Sequence, residues 1–360
     1  TIGRVDATSG SIGALVAPFT KGPVEEAQLI ESEEDLLQTF GQPYSIDNHY
    51  EYWMVASSYL AYGGTLQVIR ADDFNTTTGV GLKNAFVGTA SSIRIKSDTH
   101  YNQLGYDDNT ITGVTVASKT PGTYANGIRV AIIDSKADQV LTVSGISTVG
   151  LGITQSAAGR IVAGAAGTSV LDGYIKGIVT EVGTGTISVK TLAHVSTAGT
   201  VTNVNYQNGG VYNFATGNIS ASAAGTNVGG TAQNVTAVTD WFESQNIVLT
   251  QTDANGNPIS LEWDQLADAP GTSSYAAARG GRFDEVHVVV IDDKGTITGN
   301  AGTILEKHLN LSKAKDAEYS VGSTAYWRKY LATNSQYIYG GSAPAGILSL
   351  IHISEPTRPY

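Results

Sequence analysis

The middle of this chain lacks the apolar spacing that an amphipathic helix needs, and this absence restricts the fold more than any other feature. From residue 73 to residue 270, glycine, threonine, serine and asparagine separate short apolar runs rich in β-branched residues. Such runs between turn-forming residues are typical of strands. Clear examples are residues 128–133, 175–182, 187–190 and 247–250. Their spacing predicts a β-sandwich or barrel-like region, with a hairpin connection at residues 183–185.

One part of this β-rich region departs from the strand pattern. Residues 144–169 are nearly free of charge and rich in glycine, alanine and serine. Small residues without a regular apolar spacing are typical of loops and low-complexity segments. We therefore expect a long loop or a weakly ordered protrusion over these residues.

The segment before the β-rich region alternates strands with helices. Its apolar runs predict strands at residues 11–17, 27–30 and 66–70. The sequence SEED at residues 32–35 is a capping box that begins a short helix, and Gly41 ends that helix. A second helix over residues 48–62 carries one apolar stripe of Tyr52, Val55, Ala56, Tyr59 and Leu60. We interpret Tyr52 and Tyr59 as core residues rather than a binding platform.

The segment after the β-rich region returns to the mixed pattern. A buried strand is predicted at residues 286–291, with a turn and a return strand at 296–298. A second capping box at residues 303–306 predicts a short helix that continues to Leu311. Residues 326–331 predict a further helix, and residues 337–339 predict a strand.

These patterns together predict an α+β fold with a discontinuous α/β domain. Its two parts are residues 1–72 and residues 271–341, and the β-rich region of residues 73–270 is inserted between them as a sandwich or barrel-like unit. We expect the two flanking parts to fold against each other. Residues 342–360 fit no predicted element, and we interpret them as a non-native or disordered tail.

The charge balance and the missing cysteines exclude several classes of function. The chain has 32 acidic and 21 basic residues, a net charge of −11. Sequence-independent nucleic-acid binding needs a basic surface, so we expect no nucleic-acid partner. The sequence contains no run of about 18 apolar residues, so we expect no insertion into a membrane. Because the chain contains no cysteine, disulfides, thiolate metal sites and cysteine nucleophiles are excluded.

No motif in the sequence predicts catalysis, a cofactor or a metal site. The histidines do not pair at ligand spacing; they are His49, His100, His194, His287, His308 and His352. We interpret His287 as a satisfied core or interface histidine. Phosphate-binding, dinucleotide-binding and nucleophile-elbow motifs are absent. We therefore predict that the protein is not an enzyme, with no catalytic, cofactor-binding or metal-binding residues.

Four polar segments suggest a functional site, and each has a simpler structural interpretation. Residues 253–257 resemble a calcium loop, but their glycine stands at the wrong position and the twelfth-position glutamate is missing, which favours a hairpin turn. The acidic groups at residues 72–73 and 107–109 are typical of solvated turns. Residues 279–282, RGGR, either bind an anion or an acidic neighbour or form a polar turn, and the turn is favoured.

The order of four short segments resembles the opening of contractile-tail sheath proteins of myoviruses. The segments are IGALVA at residues 12–17, KGP at 21–23, EEDLLQTFGQP at 33–43 and YLAYGGTLQVIR at 59–70. The family shows a small apolar strand, a WGP or KGP turn, an acidic helix ending in FGKP or FGQP, and a helix ending in YG before an LxVxR strand. Order and spacing agree across about 60 residues.

Later segments extend this resemblance over about residues 10–340. Residues 120–130 resemble the segment that opens the family's inserted β domain. The segments at residues 270–281, 284–290, 302–307 and 311–314 are similar to sheath proteins of T-even-like marine phages. The family's N-terminal arm and large C-terminal α/β domain have no counterpart, so we expect a chain truncated at both ends. The final sequence, LIHISEPTRPY, looks like translated sequencing adapter.

The resemblance implies a structural subunit of a phage tail. In the family, copies polymerise as a helical homo-oligomer around the tail tube, and contraction drives the tube through the host envelope. The implied partners are further copies of the chain, the tail tube protein, and the baseplate and tail terminator proteins. The implied location is the virion, after assembly in the cytoplasm of the bacterial host. On this mapping, residues 73–270 face outward, and we expect the truncated chain alone to form no tube.

Two other functions fit parts of the same sequence. The sheath of a bacterial contractile injection system shares the features that carry the resemblance. A β-rich surface adhesin or glycan-binding module explains the acidic charge and the many glycine, threonine and serine residues equally well, but not the α/β flanks. A β-helical depolymerase predicts a coil-length repeat and clustered carboxylates, and the sequence has neither.

Overall fold

The computed structural model shows an α+β fold, as predicted, built as two compact units. It describes residues 12–43, 49–72, 81–135, 137–164, 167–207, 209–222, 231–244 and 246–342. Unit 1 holds the described residues of Thr1–Val130, Val289–Glu306 and Thr324–Pro344, and unit 2 holds those of Ala131–Val288 and Lys307–Ser323. The predicted domain boundaries at residues 72 and 270 stay predictions, and residues 343–360 of the predicted tail lie outside the described residues.

The elements are numbered in chain order. The helices are α1 (Glu33–Phe40), α2 (His49–Ala61), α3 (Asp98–Gln103), α4 (Trp241–Ser244), α5 (Ser274–Ala277) and α6 (Trp327–Asn334). The first twelve strands are β1 (Ile12–Ala17), β2 (Ala27–Ile30), β3 (Thr65–Arg70), β4 (Asn84–Gly88), β5 (Val114–Pro121), β6 (Ile128–Asp134), β7 (Gln139–Thr142), β8 (Gly152–Ser156), β9 (Ile161–Gly164), β10 (Gly167–Val170), β11 (Tyr174–Val182) and β12 (Thr186–Val195). The others are β13 (Val201–Asn203), β14 (Gly217–Ser222), β15 (Thr231–Val235), β16 (Ala237–Asp240), β17 (Asn246–Thr252), β18 (Pro258–Glu262), β19 (Glu285–Asp292), β20 (Thr303–Ser312), β21 (Glu318–Ser320), β22 (Ser323–Thr324) and β23 (Ile338–Gly340).

The first sheet of unit 1 has the strand order β1-β3-β2. Strand β1 runs parallel to β3, and β2 runs antiparallel to it. Because side chains alternate along each strand, one face of the sheet meets α1 and α2. The core on this face consists of Ala17, Phe19, Ile30, Leu36, Phe40, Trp53, Ala56, Leu60, Leu66 and Val68. The strands and helices predicted for residues 12–70 are therefore confirmed.

The ends of α1 follow the predicted chemistry. The Ser32 hydroxyl accepts a hydrogen bond from the N–H of Asp35 at 3.1 Å, which satisfies one free donor of the first turn. Gly41 ends the helix with φ of +82°, and its N–H bonds the carbonyl of Leu37 at 3.0 Å. The carbonyl of Gly41 accepts the indole N–H of Trp53 at 3.0 Å. This bond ties the end of α1 to α2.

The core prediction for the aromatic stripe of α2 was wrong for part of the stripe. Tyr52 and Val55 are exposed, whereas Trp53, Ala56 and Leu60 are buried. The buried residues lie about a quarter of a helical turn away from the predicted stripe, because α2 packs against both the sheet and α1. An apolar spacing shows that a helix has an apolar stripe, but it does not show which neighbours are present to cover it.

A second sheet of unit 1 has the order β23-β5-β4. Its core consists of Ile93, Ile95, Tyr101, Ile111, Val114, Ala117 and Tyr339. The helix and strand predicted near residues 326–339 are confirmed as α6 and β23. Arg328 of α6 is almost fully buried and donates to the carbonyl of Tyr106 at 3.0 Å.

Strands β20, β19 and β6 form a third sheet, and the division between the two units falls within these strands. The buried strand at residues 286–291 is confirmed as the central strand β19. The helix predicted from residue 303 to Leu311 is wrong, because these residues form β20 beside β19. The Glu306 carboxylate accepts from the Ser335 hydroxyl at 2.6 Å and from the N–H of Gln336 at 2.7 Å instead of capping a helix. Pairing with β19 outweighs the local capping signal.

The return strand predicted at residues 296–298 is also wrong. The Asp292 carboxylate accepts the N–H groups of Thr296 at 3.0 Å and Thr298 at 2.7 Å. The Asp292 carboxylate thus accepts backbone N–H groups that a partner strand would accept in a hairpin. Residues 296–298 therefore form a turn.

Unit 2 is built on one eight-stranded antiparallel sheet. Its main path is β15-β14-β8-β11-β12-β7-β16, and β13 pairs with β12. The sheet curls around a core of Leu141, Val143, Ile146, Ile153, Ala157, Ile175, Val179, Ile187, Val189, Phe214, Ile219, Ala221 and Val235. The hairpin predicted at residues 183–185 is confirmed between β11 and β12. The loop predicted at residues 144–169 is wrong from Gly152 onward, because this part supplies the inner strand β8 and the hairpin of β9 and β10.

Candidate functional site

The described residues contain no group of three or more histidine, aspartate or glutamate side chains that is placed to hold a metal ion. His287 is a satisfied core histidine, as predicted. It is almost fully buried, its Nδ1 accepts the N–H of Asn310 at 2.9 Å, and its Nε2 lies 3.1 Å from the carbonyl of Asp268. These partners define a neutral imidazole that carries its proton on Nε2. Burial lowers the pKa of His287 below its usual value, although the carbonyl of Asp268 acts in the opposite direction.

The acidic groups have different environments. The solvated-turn prediction was wrong for Asp72, whose buried carboxylate pairs with Arg94 and accepts the N–H of Leu82 at 2.7 Å. Burial alone would raise the pKa of Asp72, but these two donors outweigh it and hold the pKa below its usual value. Asp73 lies outside the described residues. Asp108 is exposed and pairs with Lys329 at 3.0 Å.

The RGGR segment has a structural role in unit 2. The Arg282 guanidinium donates to the carbonyls of Leu192 at 2.9 Å and Val204 at 2.7 Å. The Arg279 guanidinium lies 3.5 Å from the centre of the Tyr275 ring. Both arginines are therefore engaged within the unit, in agreement with a polar turn rather than an anion site.

The segment that resembles a calcium loop is a hairpin turn, as predicted. It joins β17 to β18, and the N–H of Asp253 bonds the carbonyl of Asn257 at 2.8 Å. The Asp253 carboxylate accepts the N–H groups of Asn255 and Asn257, both at 2.8 Å. The Asp253 carboxylate therefore stabilises the turn by accepting its backbone N–H groups.

The residues that carry the family resemblance meet around one buried side chain. Arg70 at the end of β3 is 3% exposed. Its guanidinium donates to the carbonyls of Phe19 at 2.6 Å, Thr20 at 3.2 Å, Gly22 at 2.7 Å and Pro121 at 2.9 Å. Burial lowers the pKa of this guanidinium to about 10, so it stays charged at neutral pH. Arg70 therefore holds the turn after β1 to the end of β5.

The KGP turn packs on the C-terminal end of α1. Gly22 has φ of +96°, and a Cβ atom at this position would lie 2.6 Å from the carbonyl oxygen of Thr39. Only glycine fits both constraints. The Lys21 ammonium donates to the carbonyl of Gln38 at 2.7 Å, where the last helical carbonyls need partners. The motif spacing thus reflects packing and not a reaction centre.

The described part of unit 1 contains an open groove of about 670 Å³. Its floor is the face of the β23-β5-β4 sheet that carries Val116, Ser118 and Ile338, and its wall includes Ile128 and Val130. The floor is mostly apolar, and no carboxylate or histidine lines the groove. Among the described residues that line it, Lys83 is the one ionisable side chain, so the groove offers no paired acid and base.

The first sheet of unit 1 presents a more distinctive surface. The face turned away from α1 and α2 carries Ile12, Ala14 and Val16 on β1 and Ala27 and Leu29 on β2, and residues of the central strand β3 lie between these two sets. Ile12 is 68% exposed and Val16 is 64% exposed. Neighbouring exposed apolar residues of this kind mark interaction surfaces. The sequence showed that these residues are apolar, but the strand order decides that nothing in the described chain covers them.

No family model matches the chain. A segment of 68 residues is 38% identical to the tail sheath protein of Enterobacteria phage T4. The match covers 19% of this chain and 10% of the phage T4 protein. It points to a structural role in a phage tail and gives no indication of an enzyme. In the part of the chain that is described, no helix has both the length and the apolar character needed to cross a membrane.

Proposed function

We propose that the chain is a structural subunit of a phage contractile tail sheath. The observation that carries this proposal is the 38% identity to the phage T4 tail sheath protein over 68 residues. Two further observations support it. The segments that carry the family resemblance pack together around Arg70. The open face of the β1-β3-β2 sheet offers an apolar contact surface. A lattice subunit needs rigid packing and interaction surfaces rather than a reaction centre.

The proposed mechanism is a change of subunit contacts in a helical lattice. Copies of the subunit polymerise around the tail tube in an extended state and repack into a contracted state with stronger contacts. Such an interface is bistable, so a local trigger at the baseplate propagates along the tube. The free energy comes from the contacts, and no nucleotide is hydrolysed. The tail tube, baseplate and tail terminator proteins are the proposed partners, in the virion.

We also propose the placement of the regions in that lattice. Residues 73–270 form the outward-facing part, and residues 1–72 with residues 271–341 form the part that returns to the sheath core. The described loops and hairpins between strands β7 and β18 support this division, because outward loops tolerate variation in length.

The test is expression of the whole gene that carries this sequence, followed by negative-stain electron microscopy. We expect hollow, regularly striated tubes. A matched control is the Arg70→Met variant of the same gene, which leaves four carbonyls of unit 1 without a donor and should yield no tubes. Well-folded, monodisperse protein without tubes at high concentration and with added tail tube protein would contradict the proposal.

The alternatives predict different results from the same material. Binding to a glycan array without tube formation would support the adhesin. Tubes from a gene whose neighbours lack capsid and portal genes would support a bacterial injection system. Calorimetry with ATP or divalent metal should show no binding tighter than about 10 μM, about −7 kcal/mol.

A further inference from the structure

Strand β1 is an edge strand that carries none of the usual protection against pairing. Among the described residues, β1 pairs with β3 on one side only. Its sequence, IGALVA, has no charge and no proline. Natural sheets protect exposed edges with lysine, proline, bulges or a covering element, because a bare edge is a template for another strand.

The opposite edge of the same sheet is protected by charge. Strand β2 follows Glu25 and Glu26 and precedes Glu31. Glu25 is paired with Arg94 and Lys96, so Glu26 and Glu31 are the carboxylates that a second copy at this edge would bring against its own, in a chain whose net charge is already −11. Of the two edges of this sheet, β1 is therefore the one that accepts an identical chain.

Helix α2 provides a second apolar surface next to the β1 edge. The Tyr59 ring lies against Gly13 of β1, where a Cβ atom would come within 3.0 Å of the ring. The flank of α2 that carries Tyr59 is therefore on the β1 side of the sheet. The same flank carries Tyr52 and Val55, and Tyr62 follows in the next turn; Val55 is 62% exposed and Tyr62 is 93% exposed.

We propose that two copies of this chain pair through β1 to form a symmetric, six-stranded sheet. Strand β1 of one copy lies antiparallel to β1 of the other, and the exposed flanks of the two α2 helices pack on each other. The contact is isologous, because each copy supplies the same edge and the same flank. The pairing concerns the free chain, so it stands independently of the proposed sheath role.

The spacing of helices over a sheet agrees with this arrangement. Helix α2 contacts both β1 and β3, so its axis lies over these two strands. In the paired sheet, the axes of the two α2 helices are then about two strand spacings apart, roughly 10 Å. Packed helices lie about 8–10 Å apart. The two flanks therefore meet without a gap or a clash.

The pattern of exposed residues also defines the register. Directly opposite residues of an antiparallel pair point to the same face, and a slip of one residue turns every side chain to the other face. Pairing centred on Ala14 places Ile12 opposite Val16 of the second copy and keeps both exposed residues on the open face. Ala14 then lies directly opposite Ala14 of the second copy.

The size of the contact predicts a weak dimer. An aromatic side chain buries roughly 150–250 Å², so the two flanks and edges together cover on the order of 1,000 Å². Specific interfaces begin at about this area, and small ones are transient. We expect dissociation in the micromolar range, strengthened by salt because the chain is acidic.

A single engineered cysteine tests the register, because the chain has no cysteine of its own. Ala14→Cys should form a disulfide-linked dimer under mild oxidation at micromolar concentration, since directly opposite Cα atoms of an antiparallel pair lie about 4.5–5.5 Å apart, within the range that a disulfide spans. The matched control is Ala27→Cys, an exposed position on the same face of the opposite edge strand. Ala27→Cys should cross-link at least tenfold more slowly. Equal rates for the two variants would overturn the proposal.

A second pair of variants tests the α2 flank without a thiol. Val55→Asp places two carboxylates in the proposed contact and should raise the dimer dissociation constant at least tenfold in sedimentation velocity. Val321→Asp is the matched control, because Val321 is fully exposed elsewhere and should leave dimerisation unchanged. Circular dichroism checks that both variants are folded. A wild-type chain that stays monomeric at about 200 μM, or equal dimerisation of the two variants, would overturn the proposal.

Discussion

The two units distribute their strands differently, and this difference explains which surfaces stay exposed. The first two sheets of unit 1 have three strands each, so two of every three strands are edges. In unit 2, only two of the seven strands on the main path of the large sheet are edges. A large sheet can curl around its own core, whereas a small sheet needs other elements to cover it. Unit 1 therefore retains an apolar edge strand, β1, next to an open sheet face.

The units also differ in how distant segments are joined. In unit 1, the buried Arg70 side chain donates hydrogen bonds to carbonyls of two separate segments, the turn after β1 and the end of β5. In unit 2, strand ladders and an apolar core join most segments, and Arg282 adds hydrogen bonds to the carbonyls of Leu192 and Val204. The loss of a buried arginine should therefore act on its own unit, and a cavity in the large sheet should act on unit 2.

The largest expected effect is the loss of Arg70. Arg70→Met removes four hydrogen bonds and leaves buried carbonyls unsatisfied, so it should destabilise unit 1 by about 4 kcal/mol. Hydrogen exchange read by mass spectrometry should show faster exchange in peptides of residues 12–72 and 81–130. The control Arg282→Met should instead act on peptides of unit 2. An equal increase in both units after Arg70→Met would show that the units do not differ in this way.

A cavity in the core of unit 2 should have the next largest effect. Ile175→Ala removes a fully buried side chain from the centre of the large sheet and should lower the free energy of unfolding of unit 2 by about 3 kcal/mol. Ile161→Ala, on the exposed hairpin strand β9, is the control and should change it by less than about 0.5 kcal/mol. Urea denaturation measures both changes. Similar losses for the two variants would contradict the single-core description.

Acid should weaken unit 2 through His287. Because the pKa of His287 is lowered in the folded chain, the unfolded chain takes up this proton first. Stability is therefore complete above about pH 6.5 and decreases as the pH falls toward the folded pKa, by at most about 1.4 kcal/mol per pH unit. Urea midpoints at about pH 8 and pH 5.5 should differ more in the wild type than in His287→Gln. Parallel behaviour of the wild type and His287→Gln would contradict this role.

The smallest effect should come from the open face of unit 1. Leu29→Ser replaces an exposed leucine of β2 and should change the free energy of unfolding by less than about 0.5 kcal/mol. Ile30→Ser, one residue further and buried under α1, should destabilise unit 1 by several kcal/mol. If both variants were equally destabilised in urea, the open face would be part of a core.

The sequence by itself determined the features that depend on neighbouring residues. The Ser32 cap, the end of α1 at Gly41 and the hairpin at residues 183–185 follow from local hydrogen bonding and permitted φ angles. The buried histidine His287 also agreed with its predicted role as a core residue.

The tertiary structure alone decided the features that depend on distant partners. Residues 303–312 carry a helix-capping signal but form β20, because β19 supplies a ladder of hydrogen bonds that one capping box does not match. Strand β8 is recruited from a glycine-rich segment because β11 and β14 flank it. The exposed edge of β1 and the uncovered flank of α2 likewise depend on which elements of the fold lie next to them. An apolar pattern specifies that a surface is suited to burial, but only the arrangement of the other elements decides whether anything covers it.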